Sequence, residues 1–232
     1  MNMKKVAAIF RKQLKDTLKN KEVLIQFIMF PVIATIMQNS IRIEDMPRNY
    51  FVILFATMYI GMSPLTSTAS ILAEEKEKNT LRVLLMSNVK ASEYLLGVGS
   101  YIFLICMLGS VIFAVVGQYR GIEFVLFLSI MALGILISIL IGAGIGTLSK
   151  NQMSATSVTV IVMLIFSFLP MIAMFNEGVA KVSRFTFSQQ LNDWLKGIGT
   201  ISIHVDTIGI LLLNMIVALL IFVLGYRRCK LA

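Results

Sequence analysis

The stretch EEKEKNTLRVLLMSNVKASEYLLG, residues 74–97, decides how the chain is read. It is a polar island between two long apolar runs, and its first five residues are all charged. Leu81, Leu84 and Leu85 follow at i, i+3 and i+4, which places three leucines on one face of a short helix. A loop that merely joins two membrane spans needs no such face. With no core of its own to bury it, this face reads as a docking element for a second protein. Its flanks carry four acids (Glu74, Glu75, Glu77, Glu93) and four bases (Lys76, Lys78, Arg82, Lys90). That balance is unlike the basic excess of helices that lie on a membrane surface.

Outward from the island the chain is apolar. It is 57% hydrophobic and 14% charged over 232 residues, with a mean hydropathy of +0.85. A soluble domain is about half apolar and a quarter charged. A run of about 18 or more apolar residues is long enough to cross a bilayer. Six runs qualify: 23–41, 50–73, 95–116, 124–148, 155–175 and 208–226. The expected fold is therefore all-α: one polytopic membrane domain over 1–232, with six transmembrane helices. An N-terminal interfacial helix (1–21), a cytoplasmic loop (74–97) and an outer amphipathic or re-entrant segment (176–205) complete it.

The net charge of +9 invites a nucleic-acid reading, but its distribution argues for topology. In a six-span arrangement 15 of the 21 Lys and Arg fall on the side of both termini and 6 on the other. By the positive-inside rule both termini are then cytoplasmic, and no nucleic-acid partner is expected. Residues 1–21 carry seven Lys or Arg against Asp16. Val6, Ile9, Phe10, Leu14 and Leu18 form their apolar stripe, suited to lying along the inner leaflet beside membrane lipids. The charged part is too long for a signal peptide, and no small-x-small cleavage site follows.

Within the spans, Pro31 predicts a kink in the first, and Ser63–Ser70 a close-packed polar face in the second. Gly142, Gly144 and Gly146 end the fourth. With no strand before them and no Lys-Ser/Thr after, they do not make a phosphate loop. Gly142 and Gly146 instead read as a helix-packing seam. In the outer segment Phe187, Leu191, Trp194, Leu195 and Ile198 describe an amphipathic helix ending near Gly197, with Trp194 as an interfacial anchor.

The chemistry is sparse. Cys106 lies inside a span and Cys229 beyond the last, so no disulfide is expected. His204 is the one histidine and has no neighbour at ligand spacing, so no metal site and no catalytic residue is proposed. No Asp, Glu, Lys, Arg or His lies inside the six runs, so mid-membrane proton coupling has no carrier. The chain also lacks a G-x-x-x-x-G-K-[ST] phosphate loop. If it drives transport, energy enters from a separate ATPase through a cytoplasmic handle.

Residues 74–97 resemble the cytoplasmic loop of type-2 ATP-binding-cassette exporter permeases. That pattern runs acid-x-acid-x-Gly-Thr-Leu, two residues, Leu-Leu, one residue, Ser-Pro-Val, and a Leu-Gly opening the next span. Here Glu75 and Glu77 match the acids, Thr80-Leu81 the Thr-Leu, and Leu84-Leu85 the paired leucines. Ser87 and Val89 flank the proline position, and Leu96-Gly97 open the next run. Asn79 stands for the usual glycine and is expected to keep a left-handed turn. Asn88 stands for the usual proline and removes a helix stop. The turn Leu148-Ser149-Lys150-Asn151-Gln152 also looks like the family's short inner turn.

The resemblance implies a non-enzymatic permease subunit of a cell (plasma) membrane exporter, in a bacterial setting. It implies Glu75, Glu77, Asn79, Thr80, Leu81, Leu84, Leu85 and Ser87 as ATPase-coupling residues. The chain itself binds no cofactor; ATP and Mg belong to a separate nucleotide-binding ATPase subunit. A second permease chain, identical or paralogous, completes the transporter. Its cargo is amphipathic or hydrophobic: a drug, an antimicrobial or cytolytic peptide, or a lipid. The competing readings are a non-transporting immunity or sensor protein that sequesters a toxin or lipid, and a passive channel. Autonomous ion conductance marks the channel, and a co-purifying ATPase marks the exporter.

Overall fold

A computed structural model describes residues 2–19, 21–41, 47–86, 89–199 and 205–228. Its elements, in order, are α1 (Met3–Lys19), α2 (Lys21–Ser40), α3 (Tyr50–Glu77), α4 (Thr80–Met86), α5 (Ala91–Val116), α6 (Ile122–Leu148), α7 (Gln152–Ala173), α8 (Glu177–Ser183), α9 (Phe187–Lys196) and α10 (Val205–Arg228). No strand occurs among the described residues.

Among the described residues five helices, α3, α5, α6, α7 and α10, are long and apolar enough to cross a membrane. The shortest, α7, has 22 residues and rises about 33 Å at 1.5 Å per residue. That matches a hydrocarbon core of about 30 Å. The expected first span is the exception. Its apolar part, Leu24–Ser40, is marginal for length and joins Met3–Lys19 at a bend of 69°. Lys21 and Glu22 at the start and Gln38, Asn39 and Ser40 at the end of α2 shorten its apolar length. The six expected spans thus become five, or six if this bent pair counts as one. Pro31 is buried within α2, which continues through it.

The bundle is organised around α3, the most buried span, which touches α2, α5, α6, α7 and α9. Small residues let α6 lie on it. A Cβ at Gly142 would stand 2.4 Å from the Leu65 carbonyl oxygen, and one at Gly146 would stand 2.8 Å from Leu72 Cβ. Both distances forbid a larger residue without backbone movement, so the expected Gly142/Gly146 seam is where α6 meets α3. The seam extends in steps of four through Ser138 to Gly134. Ser138 Oγ donates to the Ile60 carbonyl at 2.7 Å, and Gly134 faces Ile60. On the other flank of α3, Ser167 of α7 donates to the Met58 carbonyl at 3.1 Å, and Ser63 donates to the Gln26 carbonyl of α2 at 3.1 Å. These bonds satisfy polar groups where lipid offers no partner.

Two amphipathic helices sit at opposite ends. At one end α9 turns Phe187, Leu191 and Leu195 fully inward against α3, α6 and α7. Asn192 Nδ2 donates to Thr57 Oγ1 at 2.8 Å. Trp194 is half-buried and packs against this same core, so its ring rests on the bundle itself. At the other end α1 lies against α5. Its buried stripe is Val6, Ile9, Gln13 and Thr17, with Phe10 and Leu14 partly covered, whereas Leu18 is exposed. Most of the apolar stripe of α1 thus packs on its own chain, with Leu18 outside that contact. Gly97 makes this possible: a Cβ there would stand 2.7 Å from Ile9 Cγ2.

Candidate functional site

The basic end of the bundle gathers α1, the end of α3, α4, the start of α5 and the α6–α7 turn. The site begins where α3 stops. Asn79 has φ +57°, the left-handed backbone at which Asn stands in for Gly at little cost. Lys78 N donates to the Glu74 carbonyl at 2.9 Å and Asn79 N to the Lys76 carbonyl at 3.1 Å, closing the helix. Helix α4 starts at once, with Val83 N donating to the Asn79 carbonyl at 3.2 Å. The Thr80 hydroxyl lies 3.0 Å from the Glu75 carbonyl oxygen and 3.3 Å from Glu75 Oε2, fixing α4 to the turn before it.

The leucine face is oriented differently from the sequence reading. Leu81 is buried and Leu84 is partly buried against the bundle core. The end of α3 and the start of α5 give this face a core after all, so these two leucines anchor α4 to its own chain. Among the described side chains of α4, the apolar ones it exposes are Val83 and Met86, at 64% and 81%. The Leu85 side chain and the whole of Ser87 and Asn88 lie outside the described residues.

Three consecutive residues of α3 reach three different elements. Glu75 is buried; its Oε1 accepts from Gln13 Nε2 at 2.9 Å and pairs with Lys12 Nζ, both on α1. Lys76 Nζ donates to the carbonyls of Thr147 at 2.9 Å and Ser149 at 2.7 Å, where α6 ends. Glu77 Oε2 accepts from Gln152 N at 2.8 Å, where α7 begins. An ammonium on the last carbonyls of one helix and a carboxylate on the first N–H of the next both complement the local helix dipole. Glu74 pairs with Lys78 at 2.5 Å on the exposed side, and that hydrogen bond holds the Lys78 ammonium above its ordinary pKa. Glu93 closes the group: it accepts from Asn2 N at 2.6 Å and from Lys90 N at 3.1 Å.

The expected coupling residues Glu75, Glu77, Asn79, Thr80, Leu81 and Leu84 thus come together, but Glu75 and Leu81 are buried, and Glu77, although exposed, is bonded to the start of α7. Lys12, Gln13 and Lys76 were not singled out in the sequence. Gln13 carried a signal: it is a polar residue on the buried stripe of an amphipathic helix, where a bonding partner is required. Among the described residues no group of three or more His, Cys, Asp or Glu is placed to hold a metal ion. Further along the bundle a cavity of about 560 Å³ opens between α6, α7 and α10. Ile141, Ile145, Val158, Val162, Val217 and Ile221 give it apolar walls.

A bundle of long apolar helices, tied at one end by a short helix between spans, defines a polytopic membrane domain. A sequence model of the ABC-2 family transporter proteins matches residues 3–226, nearly the whole chain, and the chain belongs to that family. It is accordingly a multi-pass membrane protein and a transport permease subunit of a family whose members work with an ATP-binding subunit. No curated protein matches the chain.

Proposed function

We propose that this chain is the membrane-spanning subunit of an ATP-driven exporter, and that α4 is its handle for a separate ATPase. The observation that carries the reading is the split character of α4. Leu81 roots it in the bundle, while Val83 and Met86 stand exposed beside it. Burying each exposed side chain on a partner contributes about 1.5–3 kcal/mol at most, reduced by the cost of association. ATP and Mg bind on that partner. A second permease chain, of the same or a related sequence, completes the transporter in the cell membrane, with both termini in the cytoplasm. The apolar cavity between α6, α7 and α10 suits a hydrophobic or amphipathic cargo, such as a drug, a peptide or a lipid.

The test is purification from its native membrane in mild detergent. The unaltered chain is expected to bring a nucleotide-hydrolysing subunit with it. The Val83→Glu/Met86→Glu double variant is expected to lose at least about tenfold of that subunit, while its thermal midpoint stays unchanged. Full retention of the subunit by the double variant overturns α4 as the handle. Ion conductance by the purified chain alone overturns the exporter reading in favour of a channel.

A further inference from the structure

We infer that Glu75, Lys76 and Glu77 are positioning residues. They form a hub that makes α4, α1 and the α6–α7 turn move as one body, so that a push on α4 reaches all of them together. The inference rests on the permease reading for its purpose, but its geometry stands apart from any partner.

Helical geometry explains why three residues in a row do this. Successive side chains on a helix point about 100° apart. A consecutive triplet in the last turn of α3 therefore addresses three directions. Glu75 takes the direction of α1. The elements packed on α1 are α5 and α2; the bonds from Lys12 and Gln13 tie it to α3. Thr80 adds α4 to the same carboxylate. Lys76 takes the direction of α6 and holds two carbonyls at its end, Thr147 and Ser149. Glu77 takes the direction of α7 and accepts from its first N–H, that of Gln152. The three-residue turn from Ser149 to Asn151 is thereby gripped from both sides.

The chemistry suits a rigid joint. Helix ends present backbone groups that the helix itself leaves unbonded. A bond to such a group has a fixed direction, unlike a contact between apolar side chains. Glu75 is buried, so losing its bond from the buried Gln13 leaves the carboxylate without water to replace it and carries a desolvation cost. Nothing in this arrangement requires the acids to face the ATPase.

The test uses the full chain in lipid nanodiscs, with Cys229→Ser to remove one native thiol. Spin labels are placed at Val83→Cys on α4 and Met153→Cys in the first turn of α7, both highly exposed. A control pair, Ile122→Cys and Phe175→Cys, reports the opposite end of the bundle. The unaltered hub is expected to give a narrow distance distribution for the α4–α7 pair. Lys76→Met/Glu77→Ala is expected to widen it at least about twofold, leaving the control pair unchanged. Lys76→Arg, which keeps the donor, is expected to restore the narrow distribution. Glu77→Ala alone, at an exposed contact, serves if the double variant does not fold. An unchanged α4–α7 width overturns the hub, as does equal widening of both pairs, which marks general loosening. The measurement is made on the permease alone, so absence of any ATPase sinks the exporter reading while the α4–α7 width still decides the hub.

Discussion

Along its middle, α3 meets α6 backbone to backbone; in its last turn it meets α1, α6 and α7 through charged side chains. The first contact is dry and built on absence: Gly142 and Gly146 have no side chain, and the helices close over the space. The second is polar and built on reach: Glu75, Lys76 and Glu77 extend to groups on other elements. The difference follows from the surroundings. In hydrocarbon, tight packing is the available glue between helices. At the membrane edge, water screens charges, and directed bonds to helix ends are possible. The seam is suited to stay closed, and the last turn to carry movement.

Substitutions separate the two. The largest effect is expected from Gly142→Leu, which must displace the Leu65 carbonyl. Overpacking of this kind costs about 3 kcal/mol, read as loss of folded protein or a large fall in the detergent unfolding midpoint. Tolerance of leucine at Gly142 would show that the seam is loose. Next is Glu75→Ala, which leaves Lys12 and Gln13 without their acceptor. A loss of about 1–3 kcal/mol is expected in the same assay, toward the low end because Lys12 is partly exposed. Smaller still, Asn79→Val places a branched side chain at φ +57° and is expected to cost about 1–2 kcal/mol. Asn79→Gly should change stability by less than about 1 kcal/mol. Complete loss of transport in a well-folded Asn79→Gly protein would give the asparagine side chain a role beyond the turn. The smallest stability effect, within about 0.5 kcal/mol, is expected for Val83→Glu with Met86→Glu, since both are exposed; partner binding is where that variant should fail.

The seam was readable in the sequence, and the last turn was not. Gly142 and Gly146 stand four apart in an apolar run, which is a local pattern. Ser138 and Gly134 continue it, but a serine and an isolated glycine inside a long span carry little signal by themselves. The charged triplet makes its bonds to residues 62 to 75 positions away, and no local pattern encodes such partners. Helix α4 shows the limit most plainly. The spacing of Leu81, Leu84 and Leu85 announced a helix, and α4 is one, with Leu81 and Leu84 on the side that meets the core. Periodicity fixes that a face exists, not which way it turns. Burial against the chain's own core turned Leu81 inward and left Val83 and Met86 to the solvent. Asn79 was legible through the family resemblance, in which it stands at the usual glycine position, and asparagine accepts the left-handed backbone found there.

The most direct measurement is the labelling of Met86→Cys by a membrane-impermeant maleimide, with Cys229→Ser in place and the remaining native thiol, Cys106, buried in the bundle. In sealed cells the thiol is expected to stay unlabelled until the membrane is opened. In opened membranes, the bound ATPase is expected to suppress labelling about tenfold relative to the permease alone. Labelling of intact cells from outside, or equal labelling with and without the ATPase, would contradict α4 as the cytoplasmic handle through which this permease is driven.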